Sequence, residues 1–389
     1  MSANAAGADR VQAGFDALRR GDARGARQIF RDAAASGADS VALQVGLAHA
    51  CRALDDLEGL GHAAERALAL DPRNLHALIL KGDHCARTGD TRGASSFYRT
   101  ALNGAPPAEQ LGAELRRDLA RVQRACEEYA AQFENALRGA LQARGLAEDR
   151  GRFAQSLDIL FGRRQVFYQQ PRKFYFAELP QVQFFDRSLF PWMGELEAAT
   201  PGIRSELLEI MREDAAFSPY VEADPARPVT AGSMVGNPAW SAFYLWKYGE
   251  RIEANAARCP RTVQAIERVP LVQMRGRSPS VLFSLLRPGA HIPPHTGLIN
   301  TRLICHLPLI VPAGCEFRVG NEVRAWQEGR AWAFDDTMEH EAWNRSGETR
   351  VILLFEVWRP ELTDGERARV RAVFDAIDEY GGEQPRWEI

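Results

Sequence analysis

Residues 284–350 read SLLRPGAHIPPHTGLINTRLICHLPLIVPAGCEFRVGNEVRAWQEGRAWAFDDTMEHEAWNRSGETR, and the fold of the chain turns on this stretch. It holds four of the eight histidines, His291, His295, His306 and His340, while the other four all precede residue 85. Short β-branched and aromatic runs alternate with Pro-Gly, Ala-Gly, Gly-Asn and Ser-Gly turns, the pattern of antiparallel strands. Strands are expected at residues 281–286, 301–309, 316–319, 330–334, 340–344 and 349–358. An all-β unit of this kind has to close into a barrel or a double-sheet jelly roll to protect its edges. Side chains alternate along a strand, so Arg302, Ile304 and His306 share one face and Leu303, Cys305 and Leu307 the other. The first face is partly polar and is expected to line a pocket, where imidazoles pointing into the mouth would make a metal site.

The runs HTGLINTRLICHL (295–307) and FDDTMEHEAW (334–343), followed by Arg350, resemble the catalytic domain of the aspartyl/asparaginyl β-hydroxylases. The resemblance extends upstream through WSAFYLW (240–246) and FPW (190–192) and spans roughly residues 165–362. It implies a cupin-like double-stranded β-helix that carries iron(II) and uses 2-oxoglutarate and O2. Most non-haem iron oxygenases hold the metal with His-x-Asp/Glu and a distal His. Here the position two after His295 is Gly297, which supplies no carboxylate. The family resembled likewise keeps two histidines, matched by His295 and His340.

On the same resemblance, Arg350 corresponds to the arginine that takes the far carboxylate of 2-oxoglutarate, a task suited to its planar fork. Ser284 matches its hydroxyl partner, and His306 a residue near the metal-side carboxylate. Arg302 and Ile304 fall where substrate is bound. The best-known enzyme of the family has an arginine at the place of Ile304, held to bind an acidic substrate side chain, so a neutral or apolar target is expected here. His291 is read as a surface or supporting group, and Asp335 and Asp336 as a turn.

The first part of the chain is different in kind. Gly25, Gly59 and Gly93 are 34 residues apart, as are Ala33, Ala67 and Ala101; Gly14, Ala48 and Gly82 keep small residues in the same register. A period of 34 with small residues at helix crossings is the tetratricopeptide signature. The expected organisation is α+β and multidomain: three helical repeats at 7–108, capping and connecting helices at 109–164, the β domain at 165–362, and a C-terminal helix and tail at 363–389. Residues 214–236, rich in Gly and Pro, are expected to form a loop near the mouth.

At 389 residues two or three domains are expected, and a net charge of -3 gives no reason to expect nucleic acid. No transmembrane segment or secretory leader is legible, which reads as cytoplasmic. Six cysteines without CxxC spacing read as reduced thiols. The leading functional expectation is hydroxylation of a peptide or protein side chain, with the repeats supplying a concave peptide-binding surface. A small-molecule or lipid-linked acyl substrate, and a scaffold with a silent barrel, are the alternatives.

Overall fold

The computed structural model describes residues 3–146, 151–213, 216–222 and 234–381. The chain divides into two compact units, Met1–Phe161 and Gly162–Ile389. No helix among the described residues is long and apolar enough to cross a membrane. All six cysteines are buried free thiols.

The first unit is a run of helix pairs: α1 (Ala3–Arg19) with α2 (Ala23–Ala35), α3 (Val41–Ala53) with α4 (Leu57–Leu70), and α5 (Leu75–Arg87) with α6 (Thr91–Gly104). The 34-residue period has a local cause at each second helix. Asp22, Asp56 and Asp90 are the N-caps, and their carboxylates accept from the amides of Gly25, Gly59 and Gly93 at 2.8, 2.9 and 2.8 Å. The period also has a packing cause. Phe30 and Tyr98 press on Gly14 and Gly82, where any Cβ would run into the ring. At the same place in the middle repeat Ala64 and Ala48, both buried, stand instead. A large ring therefore faces glycine in the outer two repeats, while the middle repeat pairs small with small. The helices α7 (Ala113–Ala143) and α8 (Arg152–Leu160) complete this unit.

The second unit is built on two antiparallel sheets. Its strands are β1 (Ser218–Pro219), β2 (Trp240–Lys247), β3 (Glu250–Arg251), β4 (Val281–Leu286), β5 (His291–His295) and β6 (Arg302–Ile310). They continue with β7 (Cys315–Val319), β8 (Glu322–Ala325), β9 (Trp332–Phe334), β10 (His340–Asn344) and β11 (Arg350–Trp358). The larger sheet has the order β1-β2-β4-β11-β6-β9 with β3 on β2, and the smaller β5-β10-β7-β8. From β4 onward the chain passes back and forth between the sheets.

Alternation then divides the core. Phe283, Leu303, Cys305, Leu307, Leu353 and Phe355 bury the outer face of the larger sheet under α9 (Met193–Ala198), α10 (Thr200–Ile210) and α12 (Pro260–Ile266), the last preceded by α11 (Glu253–Ala256). Full burial of a phenylalanine such as Phe283 contributes about 1.5–3 kcal/mol relative to exposure. Leu282, Leu286, Ile304, Ile352 and Leu354 face inward and meet Phe317, Val319 and Ala342 of the smaller sheet. The last helix, α13 (Asp364–Gly381), buries Val370 and Phe374 against Trp358 and Leu298.

The sequence-expected strands at 281–286 and 340–344 have these bounds, and the others shift by one or two residues at an end. Five strands escaped the reading, among them the two-residue β1 and β3. In β5, HIPPH, two prolines argue against a strand; it forms because it is the edge of the smaller sheet, hydrogen-bonded on one side alone. β8 is four residues long with its side chains largely in solvent. β2 is almost continuously apolar and shows no alternation. The expected loop at 214–236 lies largely outside the described residues, but Tyr220, Val221 and Glu222 line the cavity described next.

Candidate active site

Between the sheets lies a cavity of about 160 Å³. At one side β10 pairs with β5 so that His340 stands opposite His295, ring centroids 4.1 Å apart. Each imidazole is oriented by the carbonyl two residues before it: His295 Nδ1 to Pro293 O at 2.8 Å, and His340 Nδ1 to Met338 O at 3.0 Å. A carbonyl can only accept, so each Nδ1 carries the proton and each Nε2 lone pair is bare. Burial lowers the pKa of His295 and holds that of His340 well below the usual imidazole range. Both are therefore neutral at physiological pH. Two bare imidazole nitrogens side by side form a donor set for a divalent transition metal. Among the described residues, no third His, Cys, Asp or Glu completes a cluster with them.

The floor of the cavity is lined with hydrogen-bond donors. Arg350 is 1% exposed, and no carboxylate pairs with it among the described residues. Its Nη1 donates to the Ser284 carbonyl at 3.3 Å, its guanidinium stacks 4.8 Å over Trp326, and its Nε has no partner. Burial pushes this guanidinium down to about 10. Trp240 Nε1 donates to Ser284 Oγ at 3.2 Å, which leaves the hydroxyl proton to point elsewhere. Trp326 Nε1 donates to His306 Nδ1 at 3.3 Å, so the proton of this neutral imidazole is on Nε2. A cation and two N–H or O–H donors without an opposing acceptor form a receptor for an anion.

Above the histidines, Arg302 bridges to Asp336 at 3.3 Å and Glu356 at 3.5 Å, all three buried. Burial raises the Asp336 carboxyl to about 7 although Arg302 draws it down. The Asp336 carboxylate fills the volume that a side chain on Gly297 would occupy. Glycine is thus required two after His295 by the carboxylate that arrives from the turn between β9 and β10. Gly297→Ala is expected to displace Asp336 and destabilise the full chain by about 1–3 kcal/mol in denaturant unfolding. In the double variant with Asp336→Ala the two effects should be far from additive.

Among the sequence-expected residues, His295, His340, Arg350, Ser284, His306, Arg302 and Ile304 all line this one cavity. His291 lies outside, stacked on Trp343 and bonded to Glu341 at 2.9 Å. The turn reading holds for Asp335, whose carboxylate accepts from the Thr337 amide and hydroxyl. Asp336 also lies in the turn, but its carboxylate lines the cavity, which the turn reading did not anticipate. Sequence reasoning also passed over Trp240 and Trp326, which set the hydrogen-bonding state of Ser284 and His306. No spacing rule announces such partners, since they meet only once the sheets have formed.

Residues 197–360 match the family model for aspartyl/asparaginyl β-hydroxylase. Over this stretch the chain is similar to that family. The chain is 34% identical over 188 residues to ornithine lipid ester-linked acyl 2-hydroxylase of Rhizobium tropici, covering 48% of this chain and 63% of that protein. It is 40% identical over 136 residues to human aspartyl/asparaginyl β-hydroxylase, covering 34% of this chain and 18% of that protein. The chain thus spans less than two thirds of the length of either relative. Among solved structures, the type III secretion chaperone SycD of Yersinia enterocolitica in complex with a YopD peptide matches with a TM-score of 0.29 and 14% identity. That match covers 32% of this chain and 92% of SycD, and it is too slight to carry an argument. These two relatives are named as hydroxylases of two kinds, one for a lipid acyl group and one for aspartyl and asparaginyl residues.

Proposed function

We propose that the chain is an iron(II)- and 2-oxoglutarate-dependent dioxygenase on a double-stranded β-helix, hydroxylating an unactivated C–H bond and releasing succinate and CO2. The observation that carries this reading is the pairing of two bare imidazoles with a buried, carboxylate-free arginine in one cavity. When bound, the metal and 2-oxoglutarate supply the activation of O2 that no side chain can perform. The residues of the chain do the rest. His295 and His340 present Nε2 to the metal. Arg350 and the Ser284 hydroxyl bind the remote carboxylate of the cosubstrate, and His306 donates to its other end. Phe317, Phe334 and Trp326 keep water from the floor, which strengthens each of these contacts. The test is iron(II)-dependent conversion of 2-oxoglutarate to succinate by the full chain; no turnover at any metal loading would overturn the reading.

For the substrate we favour a peptide or protein side chain, because helix pairs stacked in repeats form surfaces suited to extended partners. The apolar wall of Ile304, Ile352 and Leu354 favours a second reading, a lipid-linked acyl chain, in line with the Rhizobium relative. Either way Ile304 itself offers a target carboxylate no partner, and desolvating one against that apolar wall costs about 1–3 kcal/mol or more. Matched peptides differing at the target residue, followed by the mass gain of one oxygen, should show a neutral residue preferred over aspartate. Ile304→Arg should shift the preference toward aspartate.

A further inference from the structure

The charges around the cavity can be paired off one by one. Glu222 is taken by Lys247 at 2.7 Å, Glu341 by Arg318 and by His291, and Asp336 and Glu356 share Arg302. Two guanidiniums are left without a carboxylate among the described residues. One is Arg350 at the floor, which the cosubstrate satisfies. The other is Arg172 at the mouth, which makes no side-chain hydrogen bond or ion pair among the described residues although it lines the same cavity.

Arg172 is held there by its backbone. Its amide donates to the Gly297 carbonyl at 3.1 Å and that of Lys173 to Leu298 at 2.9 Å, which ties this extended segment to the loop following His295. Arg172 lines the cavity together with His295, Gly297, Asp336 and His340. Asp336 is already engaged by Arg302 and lies under the loop. An unpaired cation beside a reaction centre, on a pinned backbone, is suited to binding an anion that arrives from solvent.

We propose that Arg172 is a substrate-binding residue that receives an anionic group of the substrate, a carboxylate or a phosphate, at the mouth of the cavity. This rests on the dioxygenase reading above and adds to it. The carbon to be oxidised lies next to the histidines, where Ile304 makes the wall apolar, and the anionic group is carried on a different part of the same substrate. Substrate is thereby gripped at its charged end while its neutral part enters. Arg172 would act on binding and specificity without taking part in the chemistry.

The test uses the full chain labelled with ¹⁵N-arginine and loaded with zinc(II), a diamagnetic stand-in. The Nε–Hε resonances of Arg172 and Arg350 are assigned by their loss in Arg172→Lys and Arg350→Lys. After 2-oxoglutarate has saturated its site, acetate and methyl phosphate are titrated separately. Arg172 is expected to shift saturably with at least one of them, and which one identifies the substrate anion. By calorimetry, Arg172→Gln should weaken that anion at least tenfold and alter 2-oxoglutarate affinity less than twofold. The proposal is overturned if Arg172 moves with neither anion, or no more than the exposed Arg116 of α7. An Arg350 resonance blind to 2-oxoglutarate would instead count against the dioxygenase reading, and the two anion titrations decide the role of Arg172 in either case.

Discussion

Replacing His340 with alanine is expected to abolish iron(II) binding and 2-oxoglutarate turnover while the fold survives. The site offers two nitrogens, and iron(II) stands low in the order of divalent affinities, so the loss of one donor leaves too little to hold it. The fold tolerates the change because the neighbouring Phe317 and Phe334 belong to a cluster that extends well beyond the imidazole. Metal content after dialysis, succinate release and circular dichroism together check this. His295→Ala should behave in the same way. Full activity in His340→Ala would remove the histidine pair from the metal site.

The second large effect is expected at Arg350. With alanine there, the 2-oxoglutarate concentration for half-maximal turnover should rise at least about a hundredfold, since breaking a buried charge pair costs about 3–5 kcal/mol and ~1.4 kcal/mol is a factor of ten. Iron binding should be nearly unchanged, because the histidines are oriented by their own carbonyls. The same arginine burdens the ligand-free protein. Its folded pKa lies below the ordinary guanidinium value, so burial of the charge opposes folding at neutral pH, and that cost is relieved only as pH rises through about 10. Arg350→Met should therefore leave the ligand-free chain no less stable in denaturant unfolding, even as it loses the cosubstrate.

The parts of this architecture that repeat locally were legible in the sequence. The 34-residue period recorded caps and helix crossings, each settled within one helix pair, such as Asp22 on Gly25 or Phe30 on Gly14. Alternation along 302–307 separated the cavity face from the core face, because a strand has no other way to place successive side chains. What escaped depends on partners distant in sequence. β5 needs its edge position to tolerate two prolines, and Asp336 looks like the Asp beside it until Gly297 makes room for it. The protonation of Ser284 and His306 was hidden for the same reason, resting on Trp240 of β2 and on Trp326 just after β8. Arg172 carries no spacing signal in the sequence, and only the backbone bonds from it to Gly297 and from Lys173 to Leu298 bring it to the cavity.

The central claim is that one cavity holds a metal on His295 and His340 and 2-oxoglutarate on Arg350. It is tested most directly by anaerobic titration of the full chain with iron(II) and then 2-oxoglutarate, following the weak visible absorption that arises when the keto acid chelates the metal. The band is expected in the unaltered chain, to vanish in His340→Ala, and to require far more 2-oxoglutarate in Arg350→Ala. A band that persists unchanged in His340→Ala, or none in the unaltered chain with both components in excess, would contradict the account.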